Sequence, residues 1–140
     1  MNSQVVRDQI KAHEGLVLHA YEDHLGYWTI GYGRLIDKRR GGGITEAEAE
    51  FLLTNDINRV VTELEERCAF FHKLPEDCQH ALINMGFQLG INGLMGFKKM
   101  FDALSESDFE RAADEALDSR WAEQTPGRAA EVASMIRGAG

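Results

Sequence analysis

Residues 13–36 constrain the fold of this 140-residue chain more than any other stretch. Gly15 stands where a helix would end, because glycine readily adopts the left-handed conformation that closes many helices. The following residues alternate with the period of a strand, and the turn residues 23–26 separate them from a second β-rich segment, residues 27–32. Residues 34–37 can form a third short strand. We therefore predict a helix that leads directly into a three-stranded antiparallel β-meander.

The folded meander can bring Asp23 and Thr29 back towards Glu14. Two carboxylates that flank a gap are the working groups of glycoside hydrolysis, one protonated and one ionised. Glu14 stands at the negative end of a helix dipole beside apolar residues, and both effects favour the protonated acid. Asp23 lies in a polar turn and should stay ionised, while the Thr29 hydroxyl can hold a water. From spacing alone, these residues are more often solvated surface groups.

Three ordered blocks carry a more specific signal. The first is E-G-L at residues 14–16 with Y-x-D-x-x-G-Y-x-T-I-G-x-G at residues 21–33. The second is A-L-I-N-M-G-F-Q-L-G at residues 81–90, and the third is S-R-W-A-E-Q-T-P-G-R-A at residues 119–129. In order and spacing they resemble the phage-type lysozymes, the muramidases typified by the lysozyme of the T-even phages.

The resemblance implies one lysozyme domain over residues 1–140 with an α+β, predominantly helical fold. A small lobe of about residues 14–56 would hold the meander, and residues 1–13 with 57–140 would form the helical lobe. A long helix would connect the lobes, beginning at a capping box of Thr45 and Glu48 and ending near Arg67. The K-R-R-G-G-G loop at residues 38–43 stands where the family typically has a helical segment, so we expect a shortened small lobe.

The resemblance also assigns roles to individual residues. Glu14 would be the general acid, Asp23 the base or electrostatic partner, and Thr29 would position the water, with inversion at the anomeric carbon. Four further residues would bind substrate or support the site, namely Gln88, Arg128, Tyr32 and Leu35.

Three of the implied contacts are specific enough to compare with a structure. Gln88 is either a sugar contact or a hydrogen-bonding amide of the protein, and the two interpretations weigh equally. Arg128 would point at Glu14 across the cleft. Arg34 would pair with Asp56 and tie the meander to the long helix, in a pair insensitive to pH near neutrality.

The sequence pattern of the C-terminal half predicts a helical lobe. Residues 78–89 are apolar on nearly all sides and predict its central helix. The glycine-rich residues 90–96 predict a loop, and Ser107 is a favourable N-cap for a later helix. Thr125 and Pro126 are typical of a helix start, and predict the last helix.

The composition of the chain limits the partners that the protein is expected to bind. A formal charge of −8 argues against a nucleic-acid partner and predicts weak electrostatic attraction to anionic walls. Cys68 and Cys78 lack ligand-spaced histidines, so we predict free thiols, no metal and no cofactor. The chain has neither a long apolar run nor a signal peptide, which predicts no membrane anchor. We expect a monomer made in the host cytoplasm that reaches the wall after holin-dependent release or tail delivery.

The favoured function is hydrolysis of the β-1,4 bond between N-acetylmuramic acid and N-acetylglucosamine in peptidoglycan. One rival is a lytic transglycosylase, in which the muramic acid's own hydroxyl attacks and Asp23 and Thr29 are dispensable. The other rival is a non-catalytic wall-binding module, which should have lost Glu14 or Asp23. The presence of all three residues at the family's spacing favours hydrolysis.

Overall fold

The protein is a predominantly helical α+β structure. The computed structural model describes residues 3–22, 25, 27–31, 34–35 and 43–139, without the side chains of residues 3, 6, 14, 28, 34 and 35. Its helices are α1 (Ser3–Glu14), α2 (Glu46–Arg67), α3 (Glu76–Met95), α4 (Lys98–Ser105), α5 (Phe109–Leu117), α6 (Arg120–Gln124) and α7 (Pro126–Gly138), with a 3-10 turn at Phe71–Lys73. Its strands are β1 (Val17–Glu22), β2 (Trp28–Gly31) and β3 (Arg34–Leu35).

A small antiparallel sheet follows α1, as the alternating pattern predicted. Strand β1 pairs with β2, with Tyr21 opposite Thr29, and the register shifts between Val17 and Tyr21. Strand β2 also pairs with the two residues of β3, with Thr29 opposite Leu35. The last two residues of the predicted third strand lie outside the described residues, so the complete three-stranded meander stays a prediction.

The chain divides into two compact units, residues 1–52 and residues 53–140, which we call the N-terminal and C-terminal units. The division falls within α2, whose first two turns belong to the N-terminal unit. The lobe boundaries expected from the family resemblance, about residues 14–56 against 1–13 with 57–140, stay a prediction.

The hydrophobic core lies in the C-terminal unit. Every buried hydrophobic residue in the described part of the chain falls between Val60 and Ile136. Helix α7 packs against α3, α5 and α6, and α4 packs against α5. The central-helix prediction is confirmed, because Ala81, Leu82 and Met85 of α3 are completely buried. Close packing of such residues supplies most of the stability of a helical unit.

A local signal located the start of α2. The capping box is confirmed, since the Thr45 amide donates to Glu48 Oε1 at 2.9 Å and the Glu48 amide donates to Thr45 Oγ1 at 3.1 Å.

Two local predictions were wrong. The predicted loop at residues 90–96 is mostly helix, because α3 breaks only at Gly90 (φ 77°, ψ 162°) and then resumes to bury Leu94. The N-cap of α5 is Asp108, whose side chain accepts from the Arg111 amide, rather than Ser107.

Candidate active site

Glu14 is the last residue of α1. Gly15 follows with a left-handed φ of 69°, and its amide donates to the Lys11 carbonyl at 3.0 Å, so the predicted helix end is confirmed. The Glu14 backbone therefore stands at the negative end of the helix dipole. The Glu14 side chain, Asp23 and Tyr32 lie outside what the structure describes.

Thr29 is the one described polar residue that is buried, with 5% of its surface exposed. It lies in the central strand of the sheet, between Tyr21 and Leu35. The Thr29 hydroxyl donates to the Tyr27 carbonyl at 3.2 Å. Because a hydroxyl has one hydrogen and two acceptor lone pairs, Thr29 Oγ1 retains its capacity to accept a hydrogen bond.

Gln88 forms a side-chain hydrogen bond within the C-terminal unit. Its Oε1 accepts from the indole nitrogen Nε1 of Trp121 at 2.8 Å. Trp121 is buried and packs edge-on against Phe97 with ring centroids 6.0 Å apart. The bond fixes which end of the Gln88 amide faces Trp121, and so directs the amide NH₂ group away from the indole. The structure thus shows the protein hydrogen bond, while the sugar contact remains a proposal.

Arg128 is held by Asn84. The Arg128 Nε donates to Asn84 Oδ1 at 2.8 Å, and the guanidinium also donates to the Asn84 carbonyl at 3.3 Å. Asn84 was not singled out from the sequence, and it lies 44 residues from Arg128. Its only sequence signal is its place inside the second block. The expected contact between Arg128 and Glu14 stays a prediction.

The second and third sequence blocks meet on one face of α3. Asn84 and Gln88 are four residues apart, so they project from the same side of the helix. Asn84 binds Arg128 at the start of α7, and Gln88 binds Trp121 in α6. The two blocks therefore build one polar surface from three helices.

The predicted pair of Arg34 and Asp56 is described only in part. Asp56 lies 3.7 Å from the guanidinium of Arg59, one turn along α2. The Arg34 side chain is outside the described part, as is that of Leu35, so this pair stays a prediction.

Two of the grooves on the surface of the C-terminal unit have apolar walls with a few polar groups. One has a volume of about 600 Å³ and lies where α4, α5 and α6 meet, with Trp121 in its wall. The other, of about 570 Å³, is lined by α2 and α3 together with Arg128. Grooves with apolar walls and a few polar groups are the usual form of ligand sites.

The two cysteines are free and buried within the C-terminal core. Burial, with a smaller contribution from the Asp77 carboxylate, raises the pKa of the Cys78 thiol to about 11. Burial also raises the pKa of Cys68. A protonated, buried thiol is a poor nucleophile and metal ligand.

In the part of the chain that the structure describes, no group of three or more His, Cys, Asp or Glu could hold a metal ion. In the same part of the chain, no helix is long and apolar enough to cross a membrane.

The model of the phage lysozyme family matches residues 11–137. This chain belongs to the phage lysozyme family. The matched stretch contains Glu14, Asp23 and Thr29 as well as the blocks that carry Gln88 and Arg128. The resemblance seen in the three sequence blocks is therefore confirmed.

Three known proteins are similar to this chain over most of its length. This chain is 30% identical over 157 aligned positions to "Probable T4-type lysozyme 1" of Dictyostelium discoideum, covering 94% of this chain and 92% of the relative. It is 30% identical over 108 positions to an endolysin of Acyrthosiphon pisum secondary endosymbiont phage 1, covering 77% and 72%. It is also 30% identical over 154 positions to the pre-baseplate central spike protein of Enterobacteria phage T4, covering 92% of this chain but 27% of that protein.

Proposed function

We propose that this chain is a muramidase, which hydrolyses the β-1,4 bond between N-acetylmuramic acid and N-acetylglucosamine in peptidoglycan. The observation that carries the proposal is the family match over residues 11–137, because the matched stretch contains Glu14, Asp23 and Thr29. A relative named lysozyme and a relative named endolysin support the same chemistry.

Glu14 is the proposed general acid. It protonates the leaving glycosidic oxygen while the bond to the anomeric carbon breaks. Its place as the last residue of α1 suits this role, because the negative end of a helix dipole stabilises the protonated carboxyl. The proton is regained from solvent after the leaving sugar departs.

Asp23 and Thr29 are the proposed water-binding pair. Since the Thr29 hydroxyl already donates to the Tyr27 carbonyl, a water at Thr29 must itself be the donor. That water directs one hydrogen to Thr29 Oγ1 and the other to the Asp23 carboxylate. Its lone pair then faces the anomeric carbon, and Asp23 takes the proton as the new bond forms. Attack from the face opposite the leaving group gives inversion, with the carboxylates roughly 6.5–9.5 Å apart.

The remaining predicted residues are proposed to support this reaction. Gln88 donates its NH₂ group to the glycan, consistent with the bond that commits its oxygen to Trp121. Arg128, oriented by Asn84, faces Glu14. The pair of Arg34 and Asp56 joins the complete three-stranded meander to α2. We also propose that Tyr32 and Leu35 support substrate binding, that the lobes have the boundaries given above, and that the protein is a monomer.

The first experiment is digestion of purified peptidoglycan by the wild type and by Glu14→Gln, with product ends read by mass spectrometry. We expect reducing muramic acid ends from the wild type and none from the variant. Anhydromuramic ends would instead assign a lytic transglycosylase. Absence of cleavage by a folded wild type, with retained binding to the wall, would assign a binding module.

We further propose that the protein acts on the cell wall after release from the cytoplasm in which it is made. The names of two relatives, an endolysin and a baseplate spike protein, are compatible with holin-dependent release and with tail delivery respectively. Lysis by the purified protein added from outside, compared with lysis on expression together with a pore-forming partner, separates the two routes.

A further inference from the structure

The second part of α3, beyond its break at Gly90, contains the one Asn–Gly pair of the sequence, Asn92 and Gly93. Both residues are exposed. In such a pair the backbone nitrogen of the glycine can attack the side-chain amide carbon of the asparagine, because glycine has no side chain to obstruct the approach. This reaction is one reason why asparagine counts among the thermolabile residues of proteins. The pair is therefore a candidate site of spontaneous modification.

The break at Gly90 restrains this pair less than the middle of a helix would. Gly90 has φ 77° and ψ 162°, outside the helical range, so a new helical segment of residues 91–95 begins after it. Asn92 and Gly93 stand in its first turn, where backbone amides lack the acceptor one turn back that holds other helical amides. A helix this short is not stable by itself. The complete burial of Leu94 holds the segment in place.

One hydrogen bond ties Asn92 to the preceding long helix. Arg67, the last residue of α2, donates from its guanidinium to Asn92 Oδ1 at 3.2 Å. For the attack to occur, the Asn92 side chain must turn towards the Gly93 nitrogen, and the backbone dihedral angles of the first turn must change. The bond to Arg67 must open before the side chain can turn. The contact with Arg67 therefore restrains the reaction.

We propose that Asn92 is a deamidation site, and that its hydrogen bond with Arg67 controls the rate of its modification. The Gly93 nitrogen bonds to Cγ of Asn92, and the bond from Cγ to the side-chain nitrogen breaks. The leaving nitrogen takes up the amide proton of Gly93 and departs as ammonia. A water molecule then opens the cyclic imide at one of its two carbonyl carbons. The product is aspartate or isoaspartate, depending on which carbonyl carbon the water attacks.

The two products should affect the fold in opposite directions. An aspartate at position 92 keeps the backbone intact and turns the bond with Arg67 into an ion pair, near a helix start where negative charge is favourable. Isoaspartate routes the chain through the side-chain carbon and lengthens the backbone by one carbon. The helical turn that buries Leu94 must then distort. Deamidation thus makes the stability of the protein depend on its age.

The rate at Asn92 can be measured by peptide mapping. The folded wild type is incubated at neutral pH and physiological temperature, and mass spectrometry follows the conversion of amide to acid at Asn92 and Asn58. Asn58 is the internal reference, because it lies in the interior of α2 and precedes Arg59 rather than a glycine. Arg67→Gln removes the cation that binds Asn92. Arg59→Gln is the matched control, since Arg59 is an exposed arginine of the same helix that contacts carboxylates of α2 instead.

We expect deamidation at Asn92 to be at least about tenfold faster than at Asn58, because an uninterrupted helix opens less readily. Loss of the hydrogen bond in Arg67→Gln should speed the reaction at Asn92 about threefold or more. Arg59→Gln should leave that rate unchanged. Equal rates at the two asparagines would overturn the site. An unchanged rate in Arg67→Gln, or equal acceleration in both variants, would overturn its control by Arg67.

Thermal unfolding of incubated protein tests the consequence for stability. Asn92→Asp represents the aspartate product and should unfold at the temperature of the wild type or above it at low salt. Asn92→Gln cyclises slowly because its side chain is longer by one methylene, so its unfolding temperature should not change on incubation. The incubated wild type should acquire a fraction that unfolds at a lower temperature as isoaspartate accumulates. A lower unfolding temperature of Asn92→Asp, or an isoaspartate-containing wild type that unfolds as the fresh protein does, would overturn the opposite effects of the two products.

Discussion

The two units of this protein differ in what their side chains do. In the described part of the chain, the C-terminal unit contains every buried hydrophobic residue, whereas Thr29 is the one buried residue of the N-terminal unit. Several large apolar side chains of the N-terminal unit are mostly exposed, as Leu18 at 82% and Phe51 at 74% show. Among its described residues, the unit that carries the proposed acid and water-binding residues therefore has little core of its own.

This difference indicates a separation of stability from chemistry. Burial of apolar surface is the dominant favourable term in folding, so substitutions in the C-terminal unit should change the free energy of unfolding. Substitutions in the N-terminal unit should change turnover with smaller effects on stability. The following comparisons measure how complete this separation is.

The largest effect is expected from two leucines of the same helix. Leu64 of α2 is completely buried, whereas Leu52, three turns earlier, is 47% exposed. Leu64→Ala should lower the free energy of unfolding by about 2–5 kcal/mol, because it leaves a cavity. Leu52→Ala should cost about 1 kcal/mol or less. Denaturant unfolding measures both, and similar losses would show that the N-terminal unit contributes as much core as the C-terminal unit.

Thr29 tests whether a residue of the N-terminal unit affects turnover more than it affects stability. Thr29→Val keeps the shape of the side chain but removes the hydroxyl that donates to the Tyr27 carbonyl. We expect kcat to fall about 100-fold as the water loses its acceptor, with a loss of stability near 1 kcal/mol. Thr29→Ser retains the hydroxyl and should keep most of the activity. A Val variant as active as the Ser variant would remove Thr29 from the mechanism.

Sequence patterns located features that depend on neighbouring residues. Gly15 ends α1 because a left-handed residue is needed there. The capping box of Thr45 and Glu48 forms because both residues lie within one turn. The prediction of Ser107 as the N-cap of α5 failed, since its neighbour Asp108 is an equally good cap residue and only the exact helix start decides between them. Local chemistry thus predicted the elements better than their ends.

Long-range features were harder to predict. The glycines of residues 90–96 suggested a loop, but burial of Leu94 against the core stabilises a second helical segment there. The contact of Arg128 with Asn84 joins residues 44 apart, and no spacing rule connects them. The family resemblance predicted Arg128 and Gln88 as site residues. Their hydrogen-bond partners depend on the packing of α3, α6 and α7, which the sequence does not give.

A smaller effect is expected at the start of α2, where the two units share a helix. Thr45→Ala removes the acceptor of the Glu48 amide and should cost about 1 kcal/mol. Thr62→Ala is a matched control, because the Thr62 hydroxyl only donates back to the Asn58 carbonyl within the same helix. Hydrogen exchange should become faster at the first turn of α2 in Thr45→Ala and stay unchanged in α3. Faster exchange throughout α3 would mean that the two units unfold together.

The smallest effect is expected from the lysines at the start of α4. Most substitutions lower the free energy of unfolding, whereas these should raise it. Lys98→Gln and Lys99→Gln remove cations from the positive end of a helix dipole, so each should raise the free energy of unfolding by about 0.3 kcal/mol or more at low salt. Lys73→Gln, outside α4, is the control and should change stability less. Thermal unfolding at low and high salt measures the difference, which salt should screen. A loss of stability in the α4 variants would mean that these lysines stabilise the fold despite their place at the positive end of the dipole.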